Sequence, residues 1–202
     1  MKVAGVFLGA VLLLASSGAL VALTQDEERA LFSNVREGKI SEVEQALAAG
    51  FDVNGKLHGL PLLYWALERK EKKMAEMLIA RGADINHKSV NGSTMLSFAI
   101  RELREDMVAF LIDHGADVNM RNDGSLGTPL TDAIYKGLKD IVATLIAHGA
   151  NVNTKTGIWG SALHVAVKEK NRDIVELLIA NGADLNSTDD PNFGGYTPLH
   201  LA

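Results

Sequence analysis

Gly115-Ala116-Asp117-Val118-Asn119 is one copy of a block that the chain writes five times. The others are Gly50-Phe51-Asp52-Val53-Asn54, Gly82-Ala83-Asp84-Ile85-Asn86, Gly149-Ala150-Asn151-Val152-Asn153 and Gly182-Ala183-Asp184-Leu185-Asn186, with the glycines 32, 33, 34 and 33 residues apart. A fixed period near 33 marks units that bury their apolar faces against their neighbours. A second block opens 21 residues before each of the last four glycines: Pro61-Leu62-Leu63-Tyr64-Trp65-Ala66, Thr94-Met95-Leu96-Ser97-Phe98-Ala99, Thr128-Pro129-Leu130-Thr131-Asp132-Ala133 and Ser161-Ala162-Leu163-His164-Val165-Ala166. A further copy, Thr197-Pro198-Leu199-His200-Leu201-Ala202, ends the sequence.

Together the two blocks resemble the ankyrin repeat, which opens on T-P-L-H-x-A and closes on G-A-D-V-N. The resemblance covers Thr24 to Ala202 and implies an all-α ankyrin-repeat solenoid of helix-turn-helix units joined by hairpin-like loops. The units expected are 24–54 as an N-terminal cap, 55–86, 87–119, 120–153, 154–186 and an incomplete 187–202.

Elementary chemistry agrees with that reading. Thr or Ser caps the first helix, and Pro next to it removes an amide that had no partner anyway. Ala66, Ala99, Ala133 and Ala166 let neighbouring inner helices approach. Ile141, Val142, Leu145 and Ile146, like Ile174, Val175, Leu178 and Ile179, have the spacing of one buried helical face. Glycine ends the second helix, where positive φ is common. In the first unit Arg29-Ala30-Leu31-Phe32-Ser33-Asn34 replaces the opening block; Thr24-Gln25-Asp26-Glu27 and Ser41-Glu42-Val43-Glu44 read as capping boxes. Such polarity suits a terminal repeat. No matching cap appears near Ala202, so the sequence reads as part of a longer array, with Leu178 and Ile179 expected to be poorly covered and the C-terminal units to fray.

Residues 1–23 have a different character. Met1-Lys2 precedes an apolar run from Val3, and Ser17-Gly18-Ala19 places small residues at a cleavage site, so residues 1–19 read as a signal peptide. The alternative is an uncleaved anchor ending at Leu23, because the run is 21 residues and a spanning helix needs about 20. Lys2 before the run and Asp26, Glu27 and Glu28 after it direct the remainder out of the cytoplasm in either case. The chain has no cysteine, which removes disulfides and thiol chemistry, and an export signal without cysteine points to a bacterial periplasm. With 20 basic and 25 acidic residues the net charge is −5, so there is no global basic field for nucleic acid.

Catalytic readings are weak. His114 and His148 each precede a closing glycine, and a histidine there favours the negative end of the helix dipole. His164 and His200 occupy the family's histidine position, where the resemblance implies a structural hydrogen bond between repeats. Asp189-Asp190 lacks the alternating oxygen ligands of a calcium loop. The expectation is a non-enzymatic protein-interaction module in the bacterial envelope, with a protein partner and without cofactor, metal, nucleic acid or small-molecule substrate. The membrane enters only if the N-terminal segment stays uncleaved. Alternatives are an inhibitor or immunity protein that occludes a toxic envelope enzyme, and a docking platform for a catalytic domain further along a longer chain.

The resemblance implies that loop tips and inner-helix ends hold the partner, here Arg69, Arg101, Glu102, Tyr135, Lys136 and Lys168. Two loops add to these. Gly59, Gly92 and Gly195 lie two residues before the opening Thr or its equivalent, but Leu126 and Trp159 stand at that place in the other two units. They could pack on each other to stiffen the hairpins. Alternatively Ile158 and Trp159, with Tyr135 on the neighbouring inner helix, form an exposed apolar anchor of the kind enriched at binding hot spots, and Leu126 joins them among the partner-binding residues.

Overall fold

A computed structural model describes residues 25–89, 91–123, 127–156, 160–189 and 194–202. The expected signal peptide or anchor and the Thr24 capping box therefore lie outside the described residues, as do Leu126, Ile158 and Trp159. Ten α-helices follow in order among the described residues: α1 Gln25–Arg36, α2 Ile40–Ala48, α3 Leu62–Glu68, α4 Lys72–Ala80, α5 Met95–Arg101, α6 Glu105–Asp113, α7 Pro129–Tyr135, α8 Lys139–Ala147, α9 Ala162–Lys168 and α10 Arg172–Ala180. A 3-10 turn, Pro198–Leu201, closes the series. This is the mostly helical ankyrin-repeat fold, and no described helix is long and apolar enough to cross a membrane.

From α3 onward each pair joins a helix of seven residues to one of nine. Helices this short are marginal alone in water, so packing must hold them. The sequence limits each one locally. Thr94 Oγ1 accepts from the Ser97 amide at 3.1 Å to start α5. At α7, Thr128 Oγ1 accepts from the Thr131 amide at 3.3 Å while Thr131 Oγ1 accepts from the Thr128 amide at 2.8 Å. At the other end of α5 the Leu103 amide bonds the Ile100 carbonyl and the Arg104 amide that of Ala99, which is a Schellman cap. The equivalent pairs after α1, α3, α7 and α9 do the same, with Gly38, Lys70, Gly137 and Lys170 at the left-handed residue. The second helix of each pair also stops at a left-handed residue, always glycine. At Gly149, with φ 87°, an added Cβ would meet nothing within 4 Å, so conformation alone selects glycine there.

The chain divides into two units, residues 1–85 and 86–202. In the first, α1 packs on α2 and α3, and α3 on α4. Leu31, Phe32, Val35, Val43, Leu62, Leu63, Met74 and Leu78 form its core. Lys56–Leu57 and Leu60–Pro61 pair as strands β1 and β2, joined by His58 and Gly59, both at positive φ as a tight two-residue hairpin requires. In the second unit the inner helices pack in chain order, α5 on α7, α7 on α9, and α9 on the final turn. Ala99, Ala133 and Ala166 are fully buried along these contacts, which lets the helices come close.

Two sequence expectations fail here. Ser41 does not cap a helix: α2 starts at Ile40 with Lys39 at its N-cap and no capping side chain. The Schellman cap of α1, in which the Lys39 amide bonds the Asn34 carbonyl, fixes where α2 begins. Leu178 is not poorly covered either, since it and Ile174 are fully buried and only Ile179, at 45% exposure, is open. The most exposed large apolar side chain among the described residues lies one unit further on, at Leu199, which is 81% exposed although Leu63, Leu96, Leu130 and Leu163 at its equivalent positions are buried.

Candidate functional site

The closing asparagines fix the spacing between repeats. Asn119 Oδ1 accepts from the Asn151 amide at 2.8 Å while its Nδ2 donates to the Gly149 carbonyl at 2.9 Å. Asn54 and Asn153 make the same two bonds to Asp84 and Gly82 and to Asp184 and Gly182. Asp117 Oδ1 in turn accepts from the Asn119 amide at 2.8 Å, turning the loop so that the asparagine faces its neighbour. The recurrent D-x-N thus joins units, a role the repeat pattern alone did not reveal.

A second set of polar groups is buried at the helix starts. His164 Nδ1 accepts from the Ser161 amide at 3.1 Å, and its Nε2 lies 2.9 Å from the Tyr196 carbonyl in the next unit. A carbonyl can only accept, so Nε2 carries the hydrogen and the tautomer is fixed. This is the inter-repeat bond expected for the family's histidine. His200 repeats the inner half, with Nδ1 accepting from the Thr197 amide at 3.1 Å.

Ser97 and Thr131 stand at the same place in the preceding units and are too short to reach across. At Ser97 the following loop reaches back instead. Asn122 Oδ1 accepts from the Thr94 amide at 3.0 Å, and Asn122 Nδ2 donates to Ser97 Oγ at 3.0 Å and to Asp132 Oδ2 at 3.1 Å. The amide therefore does what imidazole does in the later unit. The carbonyl equivalent to that of Tyr196 is satisfied from within its own loop, Gly127 by the Asn122 amide at 3.1 Å and Gly160 by the amide of Thr156 and, at 3.0 Å, by its hydroxyl, as the Asp189 amide bonds the Tyr196 carbonyl at 2.9 Å. Burial pushes the Asp132 carboxyl above the ordinary carboxylate value, against the opposing pull of the Ser97 hydrogen bond, the Arg101 charge, the Asn122 hydrogen bond and the Lys136 charge.

Two other histidines also have structural partners. His114 and His148 donate from Nδ1 to the carbonyls of Phe110 and Thr144 at 2.8 and 2.9 Å, and Asn181 makes the same bond to Leu177 at 2.8 Å. Each adds a second bond to a helix-end carbonyl that already accepts from the amide of the same residue. Asp189 Oδ1 accepts from the Tyr196 amide at 2.7 Å, holding the last loop. Among the described residues no group of three or more His, Cys, Asp or Glu is arranged to hold a metal ion.

The exposed side chains fall into two groups. In the first unit Arg69, the C-cap of α3, lies 3.4 Å from Glu68 and lines a cavity of about 350 Å³ with Ser33, Arg36 and Glu37, beside the Arg36 guanidinium that stands 5.3 Å over the Trp65 ring. In the second unit Arg101, Tyr135 and Lys168 are the last residues of α5, α7 and α9, so the packed helices place them in one row. Glu102 and Lys136 follow as C-caps. Arg101 is held by donating to Ser93 Oγ, and Tyr135 is 62% exposed. In the turn after α5 the sequence reading missed Leu103, which is 57% exposed with φ 56°. Self-comparison contained the signal, since Gly38 and Gly137 occupy the equivalent place.

Comparison with known proteins completes this description. Family profiles described as ankyrin repeats (3 copies) and ankyrin repeats (many copies) match residues 83–156 and 145–202. The chain belongs to the ankyrin-repeat family. Among solved structures it is similar to the ankyrin repeat domain of Bcl-3, described as a unique member of the IkappaB protein family, at 25% identity and a TM-score of 0.79 over 96% of this chain and 87% of that one. An ankyrin repeat domain from Acinetobacter baumannii AYE matches at 29% identity with a TM-score of 0.71, covering 87% of this chain and 90% of that one. The human ASB11 ankyrin repeat domain shares the fold at 24% identity with a TM-score of 0.60, covering 85% and 76%. No curated protein matches the chain. Ankyrin repeats are protein-interaction modules, and that is the class of protein this fold defines.

Proposed function

We propose that the chain is a non-catalytic binding module exported to the bacterial envelope, where it holds a protein partner and scaffolds or regulates it. The observation that carries the reading is a division of labour among side chains. The polar groups that could suggest chemistry, His114, His148, His164 and Asp132, are engaged in capping helices and joining repeats, while the inner-helix ends present Tyr135, Lys136, Lys168 and Glu102 to solvent. Residues 1–19 support export by their composition, and the repeats support a protein as the ligand.

The test is capture. A tagged chain expressed in a Gram-negative host should lose residues 1–19 and, after cross-linking in the periplasm, bring down a specific protein. The captured protein's activity is then assayed with and without the chain, which separates scaffolding from inhibition. Retention of Met1 in a soluble cytoplasmic product would defeat the export part, and absence of any specific partner would defeat the binding part.

A further inference from the structure

Leu103 is hard to explain by stability. The Schellman cap that ends α5 requires a left-handed residue there, and φ is 56°. Glycine meets that requirement without a Cβ penalty in two equivalent turns, at Gly38 and Gly137, and two others use the long polar Lys70 and Lys170. Leucine alone combines the unfavourable backbone with an apolar side chain left 57% exposed. A residue that breaks a local rule while most of its side chain stays in solvent is expected at functional sites.

Tyr135 ends the next inner helix, packed against α5, and is also exposed. Cations surround the two. Arg101 and Lys168 hold the same helical position as Tyr135 on either side, and Lys136 follows it. The helix dipole accounts for cations at these ends, but it favours neither tyrosine nor leucine. The ends of α5, α7 and α9 and the turns after them carry Arg101, Arg104, Lys136, Lys168 and Lys170 against Glu102 and Glu169, on a chain whose net charge is −5. An acidic segment repelled by the protein as a whole is therefore drawn to this edge.

We infer that Leu103 and Tyr135, flanked by Arg101, Lys136 and Lys168, form the contact point for an acidic segment of the partner that carries an apolar or aromatic anchor. This rests on the reading of the chain as a protein-binding module and names the chemistry of what it binds. The apolar pair supplies the desolvated centre and the cations supply a rim that sets orientation and speeds encounter.

The test uses a displayed library of random peptides selected on the purified chain, followed by affinity and melting measurements on two variants. The expected peptides place Asp or Glu beside Leu, Phe or Trp and bind more weakly as salt rises. Tyr135→Ala should weaken them at least about tenfold. Leu103→Gly should weaken them too while raising the melting temperature, a pairing of opposite signs that a merely structural leucine would not produce. Selection of peptides without acidic bias, no selection at all, or binding indifferent to both substitutions overturns the inference. If a partner captured from the periplasm ignores both substitutions, the inference falls and the interaction reading stands; if no specific partner is captured, the interaction reading itself falls.

Discussion

The joint that follows His164 and the joint that follows Ser97 solve one problem from opposite sides. Each must satisfy a buried amide at the start of an inner helix and tie that helix to the next loop. In the later joint the helix reaches outward, with His164 accepting from Ser161 and donating to the Tyr196 carbonyl. In the earlier one the helix side chain is short, and the loop sends Asn122 back to accept from Thr94 and donate to Ser97 and Asp132. Satisfaction of the polar groups is what the fold demands; the residue that supplies it can move from one unit to the next.

Breaking the later joint should have the largest effect. His164→Ala strands the Ser161 amide, breaks the bond that ties α9 to the Tyr196 carbonyl, which keeps only the Asp189 amide, and opens a hole at a buried site, so a loss of about 3 kcal/mol is expected in denaturant unfolding. Asn122→Ala strands the buried Thr94 amide and removes a donor from Asp132, with an expected loss of about 2 kcal/mol. The first substitution should act on hydrogen exchange in α9 and the second in α5, because each unit contacts only its neighbours.

A smaller contrast separates Leu103 from Gly137. They occupy equivalent left-handed turns, so Leu103→Gly should stabilise by about 0.5–1 kcal/mol and Gly137→Leu should destabilise by a similar amount. Equal signs for the two exchanges would show that backbone strain is not what distinguishes them.

The smallest expected effect concerns pH. Burial raises the Asp132 carboxyl pKa, so the folded chain binds that proton more tightly than the unfolded chain does. Between the ordinary carboxylate value and the raised one, this group makes stability fall as pH rises, and acidification through the same window relieves the cost. In Asp132→Asn that contribution to the slope should vanish, as followed by unfolding midpoints across the acid range. An unchanged slope would place the titration elsewhere.

Much of this fold was legible because its signals are local and repeated. Thr94 and Thr128 cap where the opening block says they should, and each closing glycine sits at positive φ. The function of Asn119 and its equivalents was not legible, since a recurrent asparagine reads equally as a turn former, and only the stacked loops show its two bonds across the joint. Asn122 was less visible still. It occurs once, outside both blocks, and its role depends on an imidazole that Ser97 cannot provide. Of the binding residues expected from the pattern, Arg101, Tyr135 and Lys168 come together on successive helix ends, whereas Arg69 belongs to the other unit. Leu103 was obscured because exposure and backbone strain, not residue type, make it unusual.

The substitution of an asparagine amide for a missing imidazole is tested most directly by a double-mutant cycle on Ser97 and Asn122. Histidine at position 97 should accept from the Thr94 amide and reach toward the Gly127 carbonyl in the space Asn122→Ala vacates. The account predicts that Ser97→His rescues Asn122→Ala, with a favourable coupling of at least about 1 kcal/mol in the unfolding free energies. Additive losses, or a double variant less stable than Asn122→Ala alone, would contradict it.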